Sequence, residues 1–126
     1  MFGTLISVAV GGAIGASLRY LTGVWIVRLI GVTSFPVSII AVNILGSFLM
    51  GVFVVLAARL GLNHLSPFLM TGFLGGFTTF SSFSLEAVTL YERGDVMQAG
   101  LYVGLSVVVS ILGLMIGMVV TRAVLA

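Results

Sequence analysis

This 126-residue chain has only five basic and three acidic residues, and long apolar stretches lie between the segments that hold them. A helix that crosses a membrane needs about 20 mostly apolar residues, so the chain has length for roughly four such helices. It is 60% hydrophobic and 6% charged, whereas soluble domains are typically ~25% charged. These properties exclude a soluble catalytic domain, a nucleic-acid reader and a separate ligand-binding module.

Turn residues divide the chain into four predicted membrane spans. The spans run from Gly3 to about Ile30, from Val37 to Ala58, from about Phe68 to Tyr91, and from Val96 to Val120. The first stretch has no cationic leader and no Ala-x-Ala cleavage site, so we expect a retained helix. The adjacent glycines Gly75 and Gly76 predict a break in the third span, because glycine pairs interrupt helices within a membrane. We therefore expect an all-α membrane protein, with residues 1–126 forming one four-helix domain.

Basic residues are balanced between the two ends of this bundle. Arg59 and Arg122 would lie on one side of the membrane, and Arg28 and Arg93 on the other. Cationic flanks normally select the cytoplasmic side, so this balance favours insertion in both orientations and an antiparallel homodimer. The alternative interpretation is that five arginines are too few to indicate an orientation. Pairs of glycines four residues apart favour close helix packing; they are Gly11 and Gly15, Gly100 and Gly104, and Gly113 and Gly117.

Among the polar residues inside predicted spans, where polar groups are costly, three are candidates for a functional role. Arg19 either faces a wet cavity or a partner, or its long side chain extends to the nearer membrane surface. Glu86 fits a proton relay, a capped structural carboxylate, or a position near the surface. Asn43 can donate two hydrogen bonds to an anion, or it can join two helices.

Hydroxyl groups and aromatic rings recur in the last two spans. Tyr102, Ser106 and Ser110 are spaced four residues apart and share one helix face. Phe80 and Phe83 also share a face, and the edges of their rings carry partial positive charge. The neighbouring hydroxyls belong to Thr79, Ser81, Ser82 and Ser84. Together these groups predict a dry, uncharged track rich in hydrogen-bond donors, which favours an anion over a cation. The carbonyls freed by a helix break would suit a monovalent cation.

Three stretches of the sequence resemble the Fluc (CrcB) fluoride channel family. They are Gly11–Tyr20, Val42–Gly46 and, most specifically, Gly72–Glu86, and the resemblance extends over essentially the whole chain. It implies an antiparallel, dual-topology homodimer in the inner (plasma) membrane, with two pores that export fluoride passively. It also implies a structural sodium ion at the centre of the dimer and no catalytic activity.

The resemblance also implies roles for individual residues. Asn43 would line the pore, Phe80 and Phe83 would coordinate fluoride through their ring edges, and Arg19 would attract anions at the vestibule. The remaining pore positions would be Ser81, Ser82, Ser84, Tyr102 and Ser110. Gly75 and Thr78 would offer backbone carbonyls to sodium, and Glu86 matches a family glutamate to which we assign no role.

One position departs from the family pattern. The family commonly has Gly-Thr four to five residues before the asparagine, where this chain has Ser38-Ile39. Two other classes of protein also fit the length and the polarity. A proton-coupled small multidrug exporter would need an acid in the first helix, which holds only Arg19 and Arg28 as charged residues. A non-catalytic accessory subunit would use the polar residues only to join helices.

Overall fold

Four helical spans, each long and apolar enough to cross a membrane, make up the computed structural model, which describes residues 1–126. The first two are the continuous helices α1 (Phe2–Ile30) and α2 (Val37–Leu60). The last is α5 (Val96–Val124). This confirms the all-helical fold with four spans that the sequence predicts.

The third span is assembled from short pieces. A 3-10 turn (Asn63–Leu65) leads into a π-helical segment (Pro67–Leu74), which continues as the short helix α3 (Gly75–Phe77). After an interruption, α4 (Ser81–Glu92) completes the span. Every other span is one uninterrupted helix, so the third span is the place where the fold departs from a plain bundle.

Tight turns connect the spans and make consecutive spans antiparallel. Gly61 ends α2 in the left-handed conformation, with φ 68° and ψ 35°, and its N–H donates to Ala57 O. Glycine adopts this conformation without the steric penalty that a Cβ atom brings. Because the chain reverses between spans, α2 and α5 run in the same direction, and the first residues of both lie at one membrane surface.

Two seams of glycine hold the bundle together. Along α1, a Cβ atom at Gly11 or Gly15 would collide with the backbone of the π-helical segment around Phe73. Along α5, a Cβ atom at Gly117 would collide with Phe48 O of α2. These two predicted pairs therefore pack within the chain, as small residues do in lipid. The third pair, Gly100 and Gly104, has no atom of the chain within 4 Å of an added Cβ.

The buried core is small, as expected for a chain whose surroundings are lipid rather than water. Only 18 of the 126 residues are buried, and many large apolar side chains are exposed along α1 and α5. One core cluster forms where α4 meets α5, and its members are Phe83, Leu90, Ala99 and Tyr102. Two of these four residues were predicted from the sequence as site residues, so the core and the candidate site overlap.

Candidate functional site

The break in the third span occurs at Thr78, immediately after the glycine pair that predicts it. Gly75 is helical, with φ −63° and ψ −36°, whereas Thr78 is extended, with ψ 161°. A Cβ atom at Gly76 would lie 2.7 Å from Gly12 O of α1. The sequence correctly places the break near the two glycines, but Gly76 serves close packing, and the polar residues that follow interrupt the helix.

Asn43 of α2 holds the interrupted backbone through two hydrogen bonds. Its Nδ2 donates to Thr79 O (3.0 Å), and its Oδ1 accepts from Thr79 N–H (2.8 Å). In a continuous helix, Thr79 N–H would instead donate to Gly75 O, four residues earlier. The Asn43 side chain thus substitutes for the helical partner and leaves the Gly75 carbonyl without that donor.

At the start of α4, the Thr79 side chain takes a second backbone N–H group away from its helical partner. Its Oγ1 accepts a hydrogen bond from Ser82 N–H (3.1 Å), as a capping threonine does. In a continuous helix, Ser82 N–H would donate to Thr78 O. Both carbonyls that the family resemblance assigns to sodium, at Gly75 and Thr78, have therefore lost their helical donors.

Arg19 lies against the same break from the side of α1. Its Nε donates to Gly76 O at 3.1 Å, and the residue is half-buried. A cation near the last carbonyls of a helix is favourable, because these carbonyls carry partial negative charge. The structure therefore places Arg19 at the break, where it satisfies one of the carbonyls that the interrupted helix leaves free.

A cavity of about 360 Å³ opens between α2, the break and α5. Five predicted site residues line it: Asn43, Thr78, Phe80, Phe83 and Ser110. The other lining residues are Gly46, Ser47, Met50, Thr79, Ser106, Val107, Ile111 and Leu114. No charged residue lines the cavity, so its polarity comes from amide and hydroxyl groups.

The hydroxyl stripe of α5 is buried and has no hydrogen-bond partners. Tyr102 is 0% exposed and Ser106 is 5% exposed, and the hydroxyl oxygens of Tyr102, Ser106 and Ser110 are all unpaired. Leaving a buried polar group unsatisfied costs about 1–3 kcal/mol. Serine in a helix commonly avoids this cost by donating to the carbonyl four residues earlier. Ser106 and Ser110 are both exceptions, and together with Tyr102 they place three unpaired hydroxyls on one helix face, which indicates a track for a polar occupant.

Aromatic rings cover this track. Phe80 and Phe83 are in contact, with ring centroids 5.4 Å apart and planes inclined at 52°. Phe83 also contacts Tyr102 at 5.3 Å, and Phe35 meets Tyr102 edge to face at 5.8 Å. Phe83 is 9% exposed, whereas Phe80 is 77% exposed in the single chain. The predicted pair shares a face, but only Phe83 is enclosed by its own chain.

The three serines of α4 have different surroundings. Ser84 Oγ donates to Phe80 O at 3.0 Å, so its hydroxyl is used within its own helix. Ser81 is exposed and lies 3.5 Å from the Thr79 hydroxyl. Ser82 is half-buried. None of the three lines the cavity beside Asn43, so within the single chain the structure does not bring them together with the α5 stripe.

Glu86 lines a second, smaller cavity of about 210 Å³, at the connector between α1 and α2. Ser38 and Ile39, the position of the family departure, line this cavity as well. Ile39 also packs against the core cluster that contains Tyr102. The side chain at position 39 thus lies between the core and this second cavity, and Ser38 supplies a hydroxyl there.

Two contributions were not predicted from the sequence. Thr79 was identified only as a hydroxyl donor, whereas its backbone receives the Asn43 side chain. Gln98 was not identified, although its Oε1 is buried without a partner. The available signal for Gln98 was its spacing, four residues before Tyr102.

Comparisons with known proteins identify a family and relatives that the chain resembles in sequence. A family profile described as CrcB-like protein, Camphor Resistance (CrcB), matches residues 6–118. A relative from Ruegeria sp. (strain TM1040), named fluoride-specific ion channel FluC, is 66% identical over 122 residues, which are 97% of each chain. A relative of that name from Cereibacter sphaeroides (strain ATCC 17029 / ATH 2.4.9) is 60% identical over 126 residues, all of both chains. Another from Rhizobium leguminosarum bv. trifolii (strain WSM2304) is 51% identical over 118 residues, covering 92% of this chain and 94% of the relative.

Proposed function

The chain belongs to the CrcB family, and from that premise we propose that it is a fluoride channel that lets fluoride leave the cytoplasm passively. It is a multi-pass membrane protein, and we place it in the inner (plasma) membrane. The relatives are named as ion channels, not as enzymes. The observation that carries the proposal is the row of three buried, unpaired hydroxyls on α5, beside Asn43 and Phe83.

These hydroxyls supply what a small anion loses when it leaves water. An ion without partners in a low-dielectric interior is prohibitively costly. Hydrogen bonds to charged groups contribute about 1.5–3 kcal/mol each, and the unpaired hydroxyls of Tyr102, Ser106 and Ser110 are free to donate them. The positive ring edges of Phe80 and Phe83 add attraction without a formal charge. Neutral donors attract an anion without holding it as tightly as several arginines would, which favours conduction.

Two copies of the chain in antiparallel arrangement would complete the pathway. Phe80 is 77% exposed in the single chain although its partner ring Phe83 is enclosed. The arginines are balanced between the two membrane surfaces, which favours both orientations. An antiparallel pair would form two equivalent pores, each with one copy of the hydroxyl stripe, and would cover Phe80 with the second copy.

A structural sodium ion fits the break in the third span. Asn43 and Thr79 divert the N–H groups that would otherwise bond to Gly75 O and Thr78 O. Hard cations prefer oxygen ligands, and two copies of the chain would bring four such carbonyls together. When bound, the ion would supply positive charge that joins the two breaks at the dimer centre, while Arg19 occupies the neighbouring carbonyl of Gly76.

Gly75→Val tests this arrangement of carbonyls. A Cβ atom at Gly75 meets only Met70 O, at an ordinary 3.4 Å, so the single chain should fold. The added side chain would obstruct the approach of two copies, and we expect dimerisation to weaken about tenfold or more. Cross-linking and size-exclusion chromatography with and without sodium measure the effect. Gly76→Ala is the contrasting variant, because its Cβ would lie 2.7 Å from Gly12 O and should destabilise the single chain itself. A Gly75→Val dimer that is fully stable and indifferent to sodium would contradict the ion site.

The function itself is tested by ion flux. The purified protein is reconstituted into liposomes, and fluoride and chloride efflux are followed with ion-selective electrodes while valinomycin sets the potassium potential. We expect fast fluoride release with chloride retained and no dependence on a proton gradient. Absence of fluoride flux from a verified dimer would refute the channel, and flux that requires a proton gradient would indicate coupled export instead.

A further inference from the structure

Gln98 extends the unpaired stripe of α5 by one more helical turn. It lies four residues before Tyr102, so it shares the face that carries Tyr102, Ser106 and Ser110. Its Oε1 is buried and has no hydrogen-bond partner, like the three hydroxyl oxygens that follow it. At about 1.5 Å per residue, the four side chains span about 18 Å along the helix axis. The stripe is therefore a row of four unsatisfied groups, one of which is an amide.

The position of Gln98 is at the membrane surface. It is the third residue of α5, which begins at Val96. The packing of α5 against α2 sets the register, since Gly113 lies beside Ile44 and Gly117 beside Phe48. Continuing this register towards the start of α5 places Gln98 beyond the first residue of α2, level with the connector 31–36. The amide thus lies at the outer end of the stripe, where water meets the protein.

An amide has the chemistry that this position requires. An ion entering from water must exchange water for protein donors, and the released water needs partners of its own. A carboxamide has two N–H donors for an anion and an oxygen that accepts from water. A carboxylate in the same place would only accept, and an apolar side chain would do neither.

Resting on the proposed function, we propose that Gln98 is the outermost binding station of the fluoride pathway, where the anion is first taken from water. The amide N–H groups contact the anion before it reaches Tyr102. The pathway then begins one turn outside the hydroxyl stripe and continues inward along a single face of α5.

The test compares two substitutions at Gln98 with one near the end of α1 in reconstituted liposomes. Gln98→Glu keeps the shape but adds a like charge and removes the donors, and we expect fluoride flux to fall roughly tenfold or more. Gln98→Leu keeps much of the volume without polarity and should lower flux several-fold. Leu29→Glu is the matched control, because Leu29 is 74% exposed near the end of α1, at the same membrane surface and away from the stripe. It should conduct like the unmodified protein.

A second measurement tests whether the side chain at position 98 is in contact with water. Raising the ionic strength should restore part of the flux of Gln98→Glu, because salt screens charges that are in contact with water. Full flux in both Gln98 variants would overturn the proposal, and so would an equal loss in Leu29→Glu, which would indicate a general effect of surface charge. If Gln98→Glu or Gln98→Leu no longer dimerises, Gln98→Asn is measured instead. Its shorter side chain keeps the amide, so it should retain more fluoride flux than Gln98→Leu. Absence of flux from the unmodified protein would refute the proposed function, and this inference with it.

Discussion

At the scale of single residues, the site contains two kinds of polar group. Asn43, Thr79 and Ser84 have their hydrogen bonds satisfied by the backbone of the third span. The hydroxyls of Tyr102 and Ser106 are buried and unpaired. The first kind builds the site, and the second kind is free to bind. A substitution in each kind should therefore have a different outcome.

Phe83→Ile should abolish fluoride flux, or reduce it by roughly tenfold or more, because the positive ring edge is lost while much of the apolar volume remains. Phe80→Ile should act in the same direction. The dimer should persist, which chromatography checks alongside the flux measurement. Phe73→Ile is the matched control, since Phe73 stacks on Phe77 and not on Phe80 or Phe83. This variant should keep its fluoride flux. Unchanged flux in both pathway variants would remove the rings from the mechanism.

Ser106→Ala should make the protein more stable and less active. The substitution removes a hydroxyl that is buried without a partner, so the free energy of unfolding should rise by about 1 kcal/mol. Fluoride flux should fall, because one donor of the stripe is gone. Unfolding in detergent without fluoride gives the first quantity, and liposome efflux gives the second. Ser17→Ala should bring no such gain, because that hydroxyl already donates to Ala13 O. A less stable Ser106→Ala protein would show that the hydroxyl is satisfied in the membrane.

The sequence could predict which faces meet, but not which donors are used. Helical spacing alone placed Phe80 beside Phe83, and it aligned Tyr102 with Ser110. The use of the Ser84 hydroxyl within its own helix and the pairing of Asn43 with Thr79 depend on rotamers and on contacts between distant segments. Gln98 continues the spacing of the stripe, but a lone glutamine near a helix end does not indicate that its side-chain oxygen is buried and unpaired.

At the scale of elements, the third span is defined by the side chains that interrupt it. Two backbone N–H groups that would continue the helix donate to Asn43 Oδ1 and Thr79 Oγ1. Neither bond breaks the rule that backbone polar groups inside a membrane must be satisfied within the protein. The carbonyls are different, because those of Gly75 and Thr78 have lost their helical donors.

Asn43→Ala should allow the third span to become more nearly helical. Thr79 N–H would then be free to donate to Gly75 O, which would remove that carbonyl from the proposed sodium site. We expect loss of flux, a decrease of about 2 kcal/mol in the free energy of unfolding, and loss of any dependence of that free energy on sodium. Unfolding titrations with and without sodium measure the last two.

The same substitution in the connector, Asn63→Ala, is the control, since Asn63 is exposed and should leave all three quantities unchanged. Retention of sodium dependence in Asn43→Ala would separate the asparagine from the cation site.

The limits of the four spans were accessible from the sequence, because apolar length and turn residues set them. The predicted spans agree with α1, α2 and α5 to within a few residues. The π-helical geometry of Pro67–Leu74 was not predicted. It depends on the close packing of α1 against this segment at Gly11 and Gly15. The hydrophobic pattern of the sequence does not show how closely two helices approach. The break lies after the glycine pair because Asn43 and Thr79 divert the backbone N–H groups of Thr79 and Ser82.

At the scale of the whole molecule, the outer surface is as informative as the core. Long apolar faces of α1 and α5 suit lipid, whereas Phe80 and the groove at Gly100 and Gly104 offer close contact to another helix. Four of the five arginines are divided equally between the two membrane surfaces. The proposed antiparallel dimer thus depends on a charge balance that substitution can shift.

Asn63→Arg with His64→Arg should bias the chain towards one orientation, because both residues are exposed in the second connector and added cations select the cytoplasmic side. Expressed alone, this double variant should lose most of its fluoride flux. Val32→Arg with Ser34→Arg should do the same with the opposite orientation, and co-expression of the two should restore flux. Efflux from cells or liposomes measures each case. Full flux from either double variant alone would argue against an antiparallel pair.

The unpaired hydroxyls of α5 also bear on how such a chain evolves. Substituting alanine for Ser106 or Ser110 removes an unpaired hydroxyl, so the resulting protein should be more stable. Selection for folding alone would therefore remove the stripe over time. Under the proposed function, a continuing need to release fluoride explains why this sequence retains the stripe. Under the proposed function, a lineage that no longer meets fluoride should lose the stripe among its first features, while the glycine seams persist.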